Sequence, residues 1–330
     1  LSTFYTDELN SDTRNYQRSQ EKVNQIKALA LTNHDRDLEL EVSLMQLHVD
    51  DRFKRRDKKQ ILFSLDSLNE IAEHENVNWL KCRAQSYAAL CGFCDGYNYE
   101  LAFNYAEQLS LSLQAVTKVE FPEKQICYSQ LGDFYYHFHD WVNALRYFEL
   151  GLKETPDKFK DQWQKLCCNS IGLIYEKQQQ YDTAIFYYKR ALQSIWDNEQ
   201  GKEVWVGILN GNLGNCLYYK KRFAEARPML HSAIDSCLKY QCLGNVSDAY
   251  LTLGKISIDE EKLAEAAQNL GLSRYYASDL KEYARLERLY PALATLAQKE
   301  GNATQMSRYL DSALVVKDSM ARKMNALYIL

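Results

Sequence analysis

The sequence predicts an all-α fold, a solenoid of antiparallel helix pairs that repeats about every 40 residues. A glycine or alanine recurs in steps of 40, 40, 42, 40 and 40 residues at Gly92, Gly132, Gly172, Gly214, Gly254 and Ala294. A second small residue follows 12 positions after four of these (Ala144, Ala184, Ala226, Ala266), and a third comes 7 positions later (Gly151, Ala191, Ala233, Ser273). Only 4 prolines and 13 glycines interrupt the 330 residues, without a linker or low-complexity stretch, so we predict one solenoid over 1–330.

The spacing of the small residues has a packing explanation. A residue without a side chain, or with only a methyl group, lets two antiparallel helices approach closely where they cross, while tyrosine, phenylalanine and leucine fill the flanks. A bulky residue at Gly172 or Ala184 should therefore overpack the helix pair, at a cost of about 1–3 kcal/mol.

The helices follow from this phase and from the helix breakers. Residues 1–36 hold one capping helix near 13–31, and 37–120 hold two divergent pairs near 37–74 and 78–116, the first resting on periodicity alone. The clear repeats occupy 121–318, as pairs near 121–155, 160–198, 202–240, 243–279 and 282–318. Breakers separate them at 121–122, 155–157, 198–201 and 300–302. Residues 319–330 should continue the last helix, because the apolar string at 326–330 stays in helical phase.

One copy of the pattern carries a family resemblance. Between Tyr128 and Pro156 the positions on pattern are Tyr128, Leu131, Gly132, Tyr135, Ala144, Phe148, Gly151 and Pro156. This arrangement resembles the tetratricopeptide repeat, a pair of antiparallel helices with small residues at their crossing. The resemblance implies a right-handed superhelix that binds a protein or a peptide and is not an enzyme.

The same resemblance points to a binding groove lined by the first helix of each pair. Counting the first small residue as repeat position 8, the inward positions of this family are 2, 5, 6, 9, 12 and 13. Here they supply polar and aromatic side chains suited to a peptide: Tyr136, Asn169, Lys177, Asn212, Asn215, Tyr219, Lys255 and Arg288. The family's carboxylate clamp matches at only two of five positions, which argues against the binding of a chaperone tail by such a clamp. The alternative is that these polar groups bond one another across the helices and bind nothing.

Charge and composition argue against a nucleic-acid partner. The chain has 40 basic and 44 acidic residues, a formal charge of −4, so it lacks a broad cationic surface for phosphates. Six basic residues cluster between Arg52 and Lys59, but Asp50, Asp51 and Asp57 lie among them. This mixed run is typical of a solvated helix start and not of a binding patch.

No residue pattern predicts catalysis, a metal or a cofactor. The glycines form neither a phosphate loop nor a dinucleotide fingerprint after a strand. Cys91 and Cys94 have the spacing of half a zinc site without a second pair, and His137 and His139 fall at a helix turn, where capping is the simpler role. The 9 cysteines lie in apolar helical patterns, which favours free thiols in the core over disulfides.

The C-terminal stretch Tyr309–Met320 carries a second resemblance. Its Lys317-Asp318-Ser319 phrase resembles the end of the tetratricopeptide sensor region of bacterial membrane-anchored regulators. The resemblance implies the sensing region of a bacterial signal-transduction or transcription regulator, located outside the cytoplasm, with a membrane anchor and a histidine kinase or helix-turn-helix output domain beyond Leu330. A start at Leu1 without methionine agrees with a piece of a longer protein, and no run of 18 apolar residues predicts a membrane span within 1–330. The alternative is a cytoplasmic peptide-pheromone receptor or a free-standing scaffold.

Overall fold

The computed structural model describes residues 16–93, 98–155, 160–195, 201–280 and 283–328, and in these ranges it contains α-helices joined by short turns. It divides into two compact units, Leu1–Pro156 and Asp157–Leu330. The helices of the first unit are α1 (Tyr16–Asn33), α2 (Arg36–Arg52), α3 (Lys58–His74), α4 (Asn78–Phe93), α5 (Tyr99–Ala115), α6 (Lys124–His137) and α7 (Trp141–Glu154). Those of the second unit are α8 (Lys160–Lys177), α9 (Tyr181–Gln193), α10 (Lys202–Tyr219), α11 (Phe223–Lys239), α12 (Leu243–Asp259), α13 (Leu263–Leu280), α14 (Tyr283–Lys299) and α15 (Ala303–Tyr328).

The predicted solenoid of antiparallel helix pairs is confirmed. The predicted pair 202–240, for example, is α10 with α11, and the predicted pair 243–279 is α12 with α13. The predicted continuation of the last helix is present as far as Tyr328. Residues 13–15 of the capping helix, the breakers at 156–157 and 198–200, and residues 329–330 lie outside the described residues.

The N-terminal helices pack differently from a simple row of predicted pairs. Both helices of the predicted pair 37–74 are present, but α2 packs more extensively on α1 than on α3. Val23 of α1 forms a buried cluster there with Val42 and Met45 of α2. The small-residue series that sets the pairing elsewhere does not reach this segment, so the sequence pattern could not tell which neighbour α2 would choose.

The close helix crossings occur where the small residues predicted them. A Cβ atom added to Gly172 would lie 2.5 Å from the ring of Tyr188, and one added to Gly254 would lie 2.6 Å from Leu270. Tyr188 has no exposed surface, and neither does Ala184 on the same helix. An aromatic or leucine side chain of the second helix therefore lies directly on the glycine of the first.

The turns inside the pairs share one backbone geometry. His139, Gln179, Lys221 and Glu261 all have φ between 58° and 61°, and the next residue in the same series of turns is Gly301, with φ 75°. In each turn the amide of the following residue donates to a carbonyl five positions earlier, as Gln180 N–H does to Tyr175 O at 2.8 Å. The residue with left-handed backbone and the hydrogen bond from the residue after it end the first helix and reverse the chain.

Most described cysteines are core residues, as predicted. Cys91, Cys167 and Cys168 are buried, and Cys168 is a free thiol. Cys94 lies outside the described residues. Within the described ranges no helix is both long and apolar enough to cross a membrane.

Candidate binding face

Four first helices of the second unit, α8, α10, α12 and α14, bring most of the predicted groove residues together. We call the surface formed by their inward polar and aromatic side chains the first-helix face; it consists of Asn169, Glu176, Asn212, Asn215, Tyr218, Tyr219, Asp248, Thr252, Lys255 and Arg288. Each helix presents these positions because residues three and four apart share one side of an α-helix.

Asparagine amides bridge neighbouring helices across this face. Asn212 Nδ2 donates to Asn169 Oδ1 at 3.0 Å, joining α10 to α8. Asn215 Nδ2 donates to Glu176 Oε1 at 2.8 Å, and Asn215 Oδ1 accepts from Thr252 Oγ1 at 3.1 Å. The asparagines thus bond to side chains of adjacent repeats, as the alternative from the sequence stated. Within the described part of the chain, Asn212 and Asn215 each keep one Nδ2 hydrogen for a ligand.

Glu176 anchors the middle of this network. Tyr188 OH of α9 donates to Glu176 Oε2 at 2.9 Å, and the Cys216 thiol lies 3.7 Å from the same oxygen. Burial raises the pKa of the Glu176 carboxyl, while the hydrogen bonds from Tyr188 and Asn215 act in the opposite direction. The carboxyl therefore connects the glycine–tyrosine crossing of α8 and α9 to the first-helix face.

Lys255 differs from the other polar positions on this face. Its side chain is only partly exposed, and no hydrogen bond or ion pair is recorded for its ammonium among the described residues. Nζ lies 5.9 Å from the ring centroids of both Tyr218 and Tyr219. Burial, with the Arg288 charge as a second cause, lowers the pKa of Lys255 to about 8.

Stacked tyrosines border Lys255. The rings of Tyr181 and Tyr219 are nearly parallel, with centroids 4.9 Å apart. Tyr219 is 43% exposed, so part of its ring area is available to a ligand. An exposed aromatic surface held rigid by stacking is suited to apolar contact with a bound chain.

Arg288 is held at the far side of Lys255. Its Nη2 lies 2.5 Å from Asp248 Oδ1, and Arg285 Nε lies 3.3 Å from the other oxygen of the same carboxylate. Arg288 is therefore an ion-paired part of the face and not a free cation.

Two predicted groove residues remain, one at the end of α8 and one in the first unit. Lys177 is exposed at the last residue of α8. Tyr136 belongs to the first unit, where its ring contacts Trp141 with centroids 5.3 Å apart.

Several residues of the site were not among the predicted set. Glu176, Tyr218 and Asp248 all stand at inward repeat positions, four residues after Gly172, four after Gly214 and six before Gly254. The same positional rule that selected Asn215 would have found them. Tyr188 and Tyr181 lie outside those positions, and their contacts follow only from the three-dimensional packing. In the described part of the chain no group of three or more histidine, cysteine, aspartate or glutamate side chains could hold a metal ion.

Comparisons with known proteins agree with this architecture. The family model of the tetratricopeptide repeat matches residues 167–202, which cover most of α8 and α9. The crystal structure of apo RapI has a TM-score of 0.63 at 16% identity and covers 86% of this chain and 99% of its own. Residues 167–202 therefore match a tetratricopeptide repeat, and the described helices form a tetratricopeptide-like solenoid.

Two further solved structures share this tetratricopeptide-like fold. The apo quorum sensor NprR from B. thuringiensis has a TM-score of 0.60 at 15% identity, covering 92% of this chain and 83% of its own. Aspartyl phosphate phosphatase F from Bacillus subtilis has a TM-score of 0.59 at 16% identity, covering 95% and 91%. At such identities the likeness shows the fold alone.

A curated relative matches a shorter part of the chain. Anaphase-promoting complex subunit 6 of Arabidopsis thaliana is 29% identical over 91 residues, which are 28% of this chain. The match spans 16% of that relative's length.

Proposed function

We propose that this tetratricopeptide-like solenoid is the sensing or interaction region of a bacterial signal-transduction or transcription regulator, and that its first-helix face binds an extended peptide or protein segment. The observation that carries the proposal is the composition of the face: rigid stacked tyrosines, asparagine amides with spare donors and a lysine without an acceptor lie together. Backbone groups of an extended segment hydrogen-bond to asparagine, and its side chains pack on aromatic rings.

The fold likeness supports the binding class. NprR is a quorum sensor, and its fold matches 92% of this chain. A regulatory output, a membrane anchor and a location outside the cytoplasm belong to this proposal through the resemblance of Tyr309–Met320.

A cytoplasmic peptide receptor or scaffold is the second candidate, and the cysteines favour it. Among the described cysteines, five are buried free thiols: Cys82, Cys127, Cys168, Cys216 and Cys237. Unpaired cysteines in this number are typical of proteins kept in a reducing compartment. Fractionation of the native host, with detection by antibody, decides between the two locations.

Peptide selection tests the binding function. We expect a random heptapeptide library displayed on phage to yield peptides that bind the full chain, with affinities measured afterwards by calorimetry. Tyr219→Ala should weaken them roughly tenfold because an exposed, stacked anchor is lost. Tyr275→Ala is the matched control, since Tyr275 is 64% exposed but lies on the second helix α13. The proposal is contradicted if both variants weaken peptide binding equally, or if the library yields no binding peptide.

A further inference from the structure

Lys255 interrupts the hydrogen-bond pattern of the first-helix face. Asn215 stands at the equivalent position 40 residues earlier and bonds to both neighbouring first helices. Lys255 continues the row but has no recorded acceptor among the described residues. Its Nζ lies 5.9 Å from the ring centroids of Tyr218 and Tyr219. An ammonium has three donor hydrogens, so this position retains capacity for an acceptor.

The acidic groups near Lys255 have donors of their own. Asp259 pairs with Lys221 at 2.7 Å, and Asp248 pairs with Arg288 at 2.5 Å. Both oxygens of Glu176 accept hydrogen bonds, from Asn215 and Tyr188. The neighbouring acids act on Lys255 through their charge, but each is directed to another partner.

A partly buried charge without an acceptor is unfavourable, because the solvation that it loses is not replaced. The tyrosine contacts replace little of it at this distance, near the limit of useful cation–π geometry. An incoming anion would supply the missing acceptor in a site that already excludes part of the solvent.

We propose that the Lys255 ammonium binds a carboxylate of the bound segment, with the segment's adjoining residues packed on Tyr219. The inference rests on the proposed peptide-binding function and specifies its ligand. A carboxylate fits better than a phosphate. Among the described residues, the site offers one ammonium without an acceptor, beside Asp248 and Asp259, whereas phosphate sites gather several arginines. The carboxylate comes from an aspartate or glutamate side chain or from a free C-terminus.

The test uses the peptides selected on the full chain, each synthesised in three forms. One form has a free C-terminus, one has a C-terminal amide, and one has every aspartate and glutamate replaced by asparagine and glutamine. We expect one of the two neutralised forms to bind roughly tenfold more weakly, which identifies the source of the carboxylate.

Two lysine variants test whether the loss of affinity on neutralising the peptide depends on Lys255. Lys255→Met should weaken the acidic peptide roughly tenfold and leave the neutralised form unchanged, because the lost interaction is the same one. Lys189→Met is the matched control, an exposed lysine on the second helix α9, and should leave both affinities unchanged. Circular dichroism melts of each variant exclude loss of folding as the cause.

The pH profile provides a readout independent of the variants. Six groups face Lys255: Arg288 from α14, Asp248 and Asp259 from α12, Glu176 from α8, and Tyr218 and Tyr219 from α10. Peptide carboxylates stay ionised between pH 7 and 9, but the lysine, with a pKa of about 8, loses its proton in this interval. The affinity of the acidic peptide should fall roughly tenfold from pH 7 to 9, and the Lys255→Met variant should show no such fall.

The outcomes separate this inference from the function on which it rests. Peptides that bind the face but tolerate both neutralisation and Lys255→Met overturn the carboxylate assignment and leave peptide binding intact. A full chain that selects no peptide overturns both.

Discussion

The contact between Gly172 and Tyr188 offers the sharpest test of the fold, because one methyl group should disrupt it. A Cβ at residue 172 would lie 2.5 Å from one ring carbon of Tyr188 and 2.7 Å from the next. Carbon atoms in contact are normally about 3.5–4.0 Å apart, so the ring must move by about 1 Å. Tyr188 is fully buried, and its hydroxyl is bonded to Glu176, so that movement is opposed on every side.

The expected magnitude combines two opposing effects. Alanine is favoured over glycine within a helix by about 1 kcal/mol. Overpacking a tight core costs about 1–3 kcal/mol, and displacement of the tyrosine weakens its hydrogen bond by up to about 1 kcal/mol more. Gly172→Ala should therefore lower the free energy of unfolding by up to about 3 kcal/mol, instead of raising it by about 1 kcal/mol as helix propensity alone would.

Gly271 provides the matched control within the same unit. It lies inside α13, and a Cβ there would meet nothing within 4 Å. Gly271→Ala should raise the free energy of unfolding by about 1 kcal/mol through helix propensity alone. Urea denaturation followed by far-ultraviolet circular dichroism measures both variants. If Gly172→Ala were as stable as Gly271→Ala, the glycine–tyrosine crossing would not be the packing constraint described above.

Three further predictions concern other parts of the chain. The pKa of Glu176 is raised in the folded protein, so ionisation of this carboxyl destabilises the wild-type fold as the pH rises above about 4.5. The Glu176→Gln variant should therefore become more stable relative to wild type over this range. Thermal melts from pH 4 to 8 that show no such relative change would contradict this. Gln179→Gly should stabilise the protein by about 0.5–1 kcal/mol, because residue 179 has a left-handed backbone conformation. Gly301→Ala, at the corresponding turn, should destabilise it by a similar amount. If both variants shifted the urea midpoint in the same direction relative to wild type, the turn geometry would be refuted. The thiols of Cys127 and Cys168, whose pKa values burial raises to about 12 and about 11, should react slowly with a thiol reagent until the chain is denatured; rapid labelling under native conditions would show that these cysteines are accessible.

The small-residue series was sufficient to predict the helix pairs of the second unit. A helix crossing imposes a local steric rule, so Gly214 and Gly254 mark it in the sequence without knowledge of the partner. Where the series ends the prediction weakens, as the packing of α2 on α1 shows. A hydrophobic stripe reveals that a helix is buried, but not which neighbour buries it.

The face was predictable to the level of helices and positions, but not of side-chain pairs. Repeat counting placed Asn215 and Lys255 on one side of adjacent helices, and they are there. It could not show that Asn215 would bond to Glu176, 39 residues earlier, while Lys255 would have no such partner. The difference depends on which long side chains reach across the helices, and spacing alone does not determine it.

Lys255 links stability to function. A residue that destabilises the unbound protein does not serve folding, so its presence requires another explanation. Its pKa in the native state, about 8, lies below the ordinary lysine value of 10.5, so the folded chain favours the neutral lysine. The unfolded chain therefore binds more protons between these values, and wild-type stability rises as the pH increases from about 8 to 10.5.

Replacement by methionine removes that penalty while keeping a flexible apolar chain of similar length. Lys255→Met should raise the free energy of unfolding by about 1–3 kcal/mol at pH 7, and the advantage should shrink as the pH rises toward 10. Urea denaturation of the peptide-free variant at pH 7 and pH 10 measures both effects. A variant that is more stable yet binds acidic peptides poorly would show that the ammonium is retained for its ligand. A variant that is less stable at pH 7 would mean that Lys255 supports the fold itself, and the stability argument for a ligand at this position would fail.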